Sequence, residues 1–502
     1  MSFDANADDF IIGVIGAGAM GQGIVQVSLQ GGMQVLLFDA NTEGASVGKD
    51  LVCQRLDRSV ERGRLDLDAV KQMKSNLTLV DSLSAFSNCK VVVEAVFEDL
   101  DVKHAVYKEL EQYVSSECII ASNTSSLPIS SLGRPCERQE RFAGLHFFNP
   151  VPLMRLVEVI RGPSTDDWVI DGLVKLGERM GRTPVVVRDA PGFLVNTGGR
   201  AFTTEALHIL HEGVAIQSEV DAVMRDCAHF RMGPFELMDL TGVDVNYPAS
   251  LIMHEQNSYD PRIRTVPFHK SLYDAGRYGR KTRHGNYKYD ADGNMIDVPS
   301  PDLKTISEKA TKVIIPEAVE IFSDLLAGAG MAVSDDGESP IVVALFGEDC
   351  STFAHRTGLD YRRIVAIDTT GDLSKRVTLM TAPGATKIMI DSVAALINKN
   401  GRAVTAIKDS PGFISQRIRA MIGNLGCEMA QIELATPEDI DLAMRLGLNY
   451  PMGPLEIIDD FGPNLAHTIM SIMQEITGDD RYRPSPWLRR RALLGLGAHI
   501  PS

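Results

Sequence analysis

No two cysteines stand in a CxxC arrangement, no apolar run reaches about eighteen residues, and basic residues are outnumbered by acidic ones, 50 to 66. Each absence removes a class of protein. The seven cysteines, at 53, 89, 118, 136, 227, 350 and 427, are odd in number and scattered. That usage fits a reducing compartment with neither a disulfide framework nor a zinc site, and no metal is expected. A helix that crosses a membrane is not expected either. The formal charge of −16 argues against nucleic acid or an anionic membrane as the main partner, since either binds a basic face. It leaves room for an anionic small molecule held by a local basic cluster. The first nine residues carry three Asp and no Lys or Arg, unlike the basic start of a secretory signal, so the cytoplasm is the expected location.

What is present has ordinary globular proportions, with 44% hydrophobic and 23% charged residues. At 502 residues the chain is too long for one core, and three or four packing units are expected. Phe10-Ile-Ile-Gly-Val-Ile15 reads as a buried strand. It runs into Gly16-Ala-Gly18-Ala-Met-Gly21 and then into Ile24, Val25, Val27 and Leu29 at helical spacing. Strand, glycine turn and helix form the setting in which G-x-G-x-x-G binds a dinucleotide. Gly16 allows the tight turn, Gly18 the approach of a pyrophosphate, and Gly21 the packing of helix on strand. Asp39 ends the next strand, where a carboxylate accepts bonds from ribose hydroxyls and repels a 2′-phosphate, so NAD is the expected cofactor rather than NADP.

Residues 44 to 79 read as helical and charged. Arg55, Arg58 and Arg62 share one helix face there, either solvated and paired with acids or a dock for phosphate. Strand signals follow at Val91–Val96, before Glu98, and at Cys118–Ser126. Ligands gather at strand ends of a parallel sheet, which makes Asn123, Ser125 and Ser126 candidate contacts; they equally suit a helix N-cap cluster before Leu127-Pro128. The next two strands carry His146 and, twelve residues on, Glu158. That pair is either a general base with a carboxylate behind it or a buried polar pair at a sheet corner. Seven or eight strands alternating with helices describe a doubly wound α/β domain of Rossmann type ending near Arg188. Beyond Asp189-Ala-Pro-Gly-Phe193 the pattern becomes all-α, with Asn196 opening the first long helix.

The glycine turn, Asp39, Ser122–Ser126, His146-Phe-Phe-Asn-Pro150, Glu158, Asp189–Phe193, Asn196 and Met232-Gly-Pro234 together resemble the 3-hydroxyacyl-CoA dehydrogenase family, over residues 10 to 290. The resemblance implies NAD-dependent oxidation of an L-3-hydroxyacyl-CoA to the 3-oxoacyl-CoA. His146 would remove the hydroxyl proton while hydride passes from C3 to the nicotinamide, and Glu158 would orient the imidazole. Ser125 and Asn196 would bond the reacting oxygen or the thioester carbonyl. Glu98 and Asn149 would line the pocket and count, with Asn123, among the cofactor contacts. The arginine face would dock the CoA phosphates. One departure stands out: Lys281-Thr-Arg-His-Gly-Asn-Tyr287 occurs where members tend to have Lys-Ser/Thr-Gly-x-Gly-Phe-Tyr, which leaves that loop's conformation open. The acyl group is open between 3-hydroxybutyryl and a dicarboxylic one such as 3-hydroxyadipyl, since two-copy chains of this size resemble bacterial phenylacetate-pathway members. Competing readings are a lysine-dependent β-hydroxyacid dehydrogenase of a free acid, and a non-catalytic NAD-binding sensor or structural protein on a dehydrogenase scaffold.

The second half repeats part of the first. Asp409-Ser-Pro-Gly-Phe413 repeats Asp189–Phe193, and Met452-Gly-Pro-Leu-Glu456-Ile-Ile-Asp459 repeats Met232–Asp239, both 220 residues on. Carried backwards, that offset sets Ala366 against His146, Thr369 against Asn149, Thr378 against Glu158 and Gln416 against Asn196. No G-x-G-x-x-G occurs in 300–365. The expected organisation is a Rossmann domain over 8–188, a helical domain over 189–295, a truncated Rossmann-like fragment without a cofactor site over 310–408, and a second helical domain over 409–500. The second copy is expected to be a scaffold, an in-chain partner for two-fold pairing of the helical domains; whether the chain also forms a homo-oligomer is left open.

Overall fold

The computed structural model describes residues 4–305 and 308–501. Eight strands build the N-terminal sheet: β1 (Ile11–Ile15), β2 (Gln34–Phe38), β3 (Leu77–Leu79), β4 (Val91–Glu94), β5 (Ile119–Ser122), β6 (Phe142–Phe147), β7 (Leu156–Arg161) and β8 (Thr183–Arg188). Their order is β3-β2-β1-β4-β5-β6-β7-β8, parallel throughout except for the antiparallel β6–β7 pair. β4, Val-Val-Val-Glu, is buried at every position, as expected of a strand covered on both faces. The strand order reverses between β1 and β4, which opens a crevice at their carboxyl ends.

One stretch departs from its sequence pattern. Residues 44–79, read as helical throughout, form helices Thr42–Glu61 and Leu67–Ser75 and then the edge strand β3. Gly63, at φ +64°, breaks the helix, and Leu77, buried, pairs with Val35 of β2. Three residues are too short a run for periodicity to reveal.

A small hairpin, β9 (Lys288–Tyr289) with β10 (Met295–Ile296), precedes a second sheet of six strands. These are β11 (Lys312–Ile314), β12 (Gly330–Ala332), β13 (Ile341–Ala344), β14 (Ile364–Ile367), β15 (Arg376–Met380) and β16 (Ala403–Ile407), in the order β12-β11-β13-β14-β15-β16. The β14–β15 pair is antiparallel, like β6–β7. Here the simple offset fails. Ala366 pairs with Met380 and Ile367 with Leu379, which brings Asp368 level with Thr378, its amide bonding the Thr378 carbonyl at 3.2 Å. The counterpart of His146 in this sheet is therefore Asp368, not Ala366. Twelve residues separate His146 from Glu158 and ten separate Asp368 from Thr378, so the intervening turn is two residues shorter.

The chain divides into two compact units. One holds residues up to Thr197 together with Ile432–Leu448; the other holds Gly198–Gln431 and Asn449 onward. Within the first unit, helix Pro437–Leu448 lies on β7 and β8, and the Arg188 amide donates to the Leu434 carbonyl at 2.8 Å. Within the second, helix Gln217–Asp226 lies on β15, and the Lys408 amide donates to the Val214 carbonyl at 3.1 Å. The two contacts repeat each other 220 residues apart. Also in the second unit, helix Arg200–His211 packs on Ser415–Gln431 around the fully buried Arg417. Its guanidinium meets Glu205 at 2.7 Å and Glu212 at 2.9 Å.

The repeated motifs have structural work in both copies. Asp189 accepts from the Ile129 and Ser130 amides at 2.9 and 2.8 Å, and Asp409 from the Cys350 and Ser351 amides at 2.7 and 3.0 Å. Each carboxylate caps the start of a helix it does not belong to. Glu236 and Glu456 each bond back to the amide of the glycine three residues earlier, at 2.9 and 2.7 Å, as in a capping box. Asp239 accepts from the Asn286 and Tyr287 amides, the Asn286 side chain and the Tyr289 hydroxyl, so the divergent 281–287 loop is fastened by that acid. Asp189→Ala and Asp409→Ala are each expected to lower the stability of their own unit by about 1–2 kcal/mol, read as a shift in the urea unfolding transition.

Candidate active site

The nucleotide end of the site follows from three glycines. Gly16 has φ +105°, and a Cβ there would stand 2.5 Å from the Ala95 carbonyl oxygen; at Gly21 it would stand 1.8 Å from that of Gly16. A Cβ on Gly18 would meet nothing within 4 Å. Gly18 precedes helix Ala19–Gln30, whose first turn has no side-chain cap, so its amides are presented to an anion. The surrounding cavity, about 640 Å³, is lined by Gly16, Ala17, Gly18, Phe38, Asp39 and Phe97 among others. Asp39 accepts from the Ala17 amide at 2.7 Å and the Asn41 amide at 2.9 Å, which ties the end of β2 to the glycine turn. Open space over Gly18, an uncapped helix start and an acid beside them fit a dinucleotide.

The second cluster stands where β6 and β7 run antiparallel. His146 and Glu158 are direct cross-strand partners, and Nδ1 of His146 lies 2.6 Å from Oε2 of Glu158. Oε1 of Glu158 accepts from the Leu194 and Val195 amides at 3.1 and 2.9 Å. Glu158 is fully buried and His146 is 5% exposed, with the rings of Phe148 and Phe193 beside the imidazole at 4.5 and 5.9 Å. Because Glu158 engages Nδ1, Nε2 is the nitrogen left for another partner. Phe193, at φ +48°, turns the chain so that the next two amides face the carboxylate. Asn196 consequently sits in a one-turn helix, Val195–Gly198, and does not open the long helix, which begins at Arg200. Its side-chain amide donates to the Ser125 carbonyl at 3.2 Å, bringing those two candidates together.

The remaining candidates divide. Asn123 accepts from the Phe147 amide at 2.8 Å and so secures the end of β6 next to His146. Asn149 is exposed, just after that strand. The hydroxyl-rich turn is not the N-cap cluster that its composition also suited, since Asp189 caps helix Ile129–Leu132. The turn is held from the other side by Glu98. Its Oε1 accepts from the Thr124 hydroxyl at 2.6 Å and the Ser125 and Ser126 amides at 2.9 and 3.1 Å. Burial opposes the Glu98 charge, yet the Thr124 hydroxyl and the Lys103 ammonium hold its carboxyl below the ordinary range.

Lys103 and Glu94 were missed in the sequence. Lys103 is 1% exposed; its ammonium lies 2.6 Å from Glu94 and 3.3 Å from Glu98. The Tyr107 and Ser122 hydroxyls also bond Glu94. A signal was available: Lys103, Tyr107 and Leu110 fall at i, i+4 and i+7 on the buried stripe of helix Leu100–Leu110, where a lysine demands a partner. Among the arginines, Arg55 donates to the Gln22 side chain at 2.8 Å, whereas Arg58 and Arg62 are exposed.

Comparison with known proteins agrees with this arrangement. The family model described as 3-hydroxyacyl-CoA dehydrogenase, NAD binding domain, matches residues 11–190, and that of the C-terminal domain matches twice, at 192–289 and 412–498. The 3-hydroxyadipyl-CoA dehydrogenase of Escherichia coli K12 is 34% identical, covering 97% of this chain and 98% of its own. A probable 3-hydroxybutyryl-CoA dehydrogenase of Deinococcus radiodurans is 39% identical across 55% of this chain and 99% of its own. Among solved structures, a 3-hydroxybutyryl-CoA dehydrogenase from E. coli K12 superposes with a TM-score of 0.86 at 33% identity, covering 97% and 99% of the two chains. The chain belongs to the 3-hydroxyacyl-CoA dehydrogenase family of NAD-dependent oxidoreductases.

Proposed function

We propose that this protein oxidises an L-3-hydroxyacyl-CoA to its 3-oxoacyl-CoA, with the proton taken at Nε2 of His146. The observation that carries the reading is the cross-strand bond between His146 Nδ1 and Glu158 at 2.6 Å, beside the paired Ser125 and Asn196. With Nδ1–H given to the carboxylate, the Nε2 lone pair is available as a base, and Glu158 compensates the positive charge that the ring acquires. Ser125 and Asn196 supply neutral donors where charge on the substrate oxygen changes. NAD, held by Gly16, Gly18, Gly21 and Asp39 with Glu98, Asn123 and Asn149 toward its nicotinamide end, supplies the hydride acceptor.

Arg58 and Arg62, with Arg55 behind them, dock the CoA phosphates. Among the described residues neither Arg58 nor Arg62 forms an ion pair, which favours an anion site over a salt-bridged face. The roles divide the chain into a nucleotide domain over 8–188, a helical domain over 189–295, a cofactor-free fragment over 310–408 and a helical domain over 409–500. The last serves as the in-chain partner of the first helical domain, a reading supported by the buried Arg417–Glu205 ion pair joining the two repeats, with the more exposed Glu212 beside it. Since the relatives are named for a four-carbon acyl group and for a dicarboxylic one, the substrate is a short 3-hydroxyacyl-CoA with or without a terminal carboxylate. Rates with acetoacetyl-CoA and 3-oxoadipyl-CoA, each reduced by NADH, decide between them.

His146→Ala is expected to lower kcat/KM about 10³-fold or more, and Glu158→Gln about 10²-fold, with NADH affinity unchanged by fluorescence titration. A lysine-dependent enzyme would keep its rate in His146→Ala. Arg58→Glu combined with Arg62→Glu is expected to raise KM for acetoacetyl-CoA about tenfold while leaving that for the N-acetylcysteamine thioester, which lacks the nucleotide, unchanged.

A further inference from the structure

The edge strand of the N-terminal sheet is closed by a segment from the other end of the chain. Beside β8, the Arg188 amide and guanidinium donate to the Leu434 and Ile432 carbonyls at 2.8 and 3.0 Å. Ile440, Ala443 and Met444 of helix Pro437–Leu448 are fully buried. The helix ends with Gly447 against the residues that surround Glu158. A Cβ on Gly447 would stand 3.1 Å from Leu156 and 3.2 Å from both methyl groups of Val195, and Leu156 and Val195 are themselves at most 1% exposed.

Both neighbours bear on the carboxylate. Leu156 lies two residues before Glu158 on β7, so the two side chains leave the same face of the strand. Val195 gives Glu158 the shorter of its two amide bonds, 2.9 Å. We propose that Gly447 is a positioning residue for the catalytic histidine. The second helical repeat holds Leu156 and Val195 where Glu158 keeps the His146 ring in line, and so contributes to turnover by the first copy. This rests on His146 acting as the base. A side chain at 447 presses on the Leu156 and Val195 methyl groups, which must give by a few tenths of an ångström, and shifts of well under 1 Å in the groups beside Glu158 matter to an oriented base. The corresponding contact in the second unit, where the Cys227 thiol donates to the Arg376 carbonyl at 3.5 Å, serves a sheet with no histidine. A purely structural role is therefore the rival to be separated.

The test uses the full chain with Gly447→Ala, Gly447→Val, and Gly447→Val combined with Leu156→Ala to restore room. Acetoacetyl-CoA reduction by NADH is followed together with the downfield proton resonance of the His146 Nδ1–H···Oε2 bond, assigned by its loss in His146→Ala. Gly447→Val is expected to lower kcat about 10- to 100-fold, to leave KM for NADH within about twofold, and to shift or abolish the resonance. Leu156→Ala in that background recovers both rate and resonance. If Gly447→Val does not fold, Gly447→Ala carries the same readouts at smaller amplitude. The proposal is overturned by a folded variant with wild-type kcat and resonance, or by a rate loss that follows the urea midpoint while the resonance stays in place. Full activity in His146→Ala would instead overturn the assignment of the base, leaving the response of the resonance to Gly447 as a separate result.

Discussion

A carboxylate taken wholly out of water is costly unless donors converge on it, and Glu158 is in that position. Three donors meet it: the His146 ring and the Leu194 and Val195 amides. Meeting that demand sets much of the surrounding geometry. β6 and β7 must run antiparallel in a register that puts residues 146 and 158 opposite each other. The chain leaving β8 must turn through Phe193 with a positive φ so that two successive amides point inward. Asp189, at the start of the turn, is anchored to the first amides of helix Ile129–Leu132. That helix follows the Ser125 turn, so one set of bonds ties together His146, Glu158 and the neighbouring hydroxyl.

The second sheet shows what remains when the chemical requirement is lifted. It retains the antiparallel β14–β15 step, the capping acid Asp409 and the left-handed Phe413. Asp368 and Thr378 occupy the positions of His146 and Glu158, and Gln416 donates to Asp368 at 3.0 Å. The same architecture thus folds around a different polar pair. This separates the motifs into two sets. Asp-x-Pro-Gly-Phe and Met-Gly-Pro-x-Glu recur because they cap helices and shape turns, while the histidine and its glutamate occur only in the first copy, where a dinucleotide turn stands on the same sheet.

The dinucleotide turn, the alternation of strands and helices, the His146–Glu158 pair and the internal repeat were legible in the chain, because each depends on local spacing or on matching motifs. Other features depended on distant partners. β3 is three residues long and exists only because β2 offers it an edge. The bonds by which Glu98 holds the 124–126 turn, and its pairing with Lys103, join residues of separate elements. The offset of 220 that aligned the helical repeats slipped by two residues at β14, where a shorter turn replaces 148–155. Asn196, expected to open a long helix, lies instead in a single turn dictated by Glu158.

The amino-acid sequence by itself determined the class of fold and the cofactor, since glycine spacing and a strand-terminal acid are local properties. Only the tertiary structure decided which parts of the chain complete each sheet. Residues 432–448 close the edge at β8 and residues 217–226 pack on β15, although each lies far along the sequence from the sheet it joins. The reason is physical: an edge strand needs partners for its free amides and an apolar cover, and any segment with matching shape can supply them, however remote in the chain.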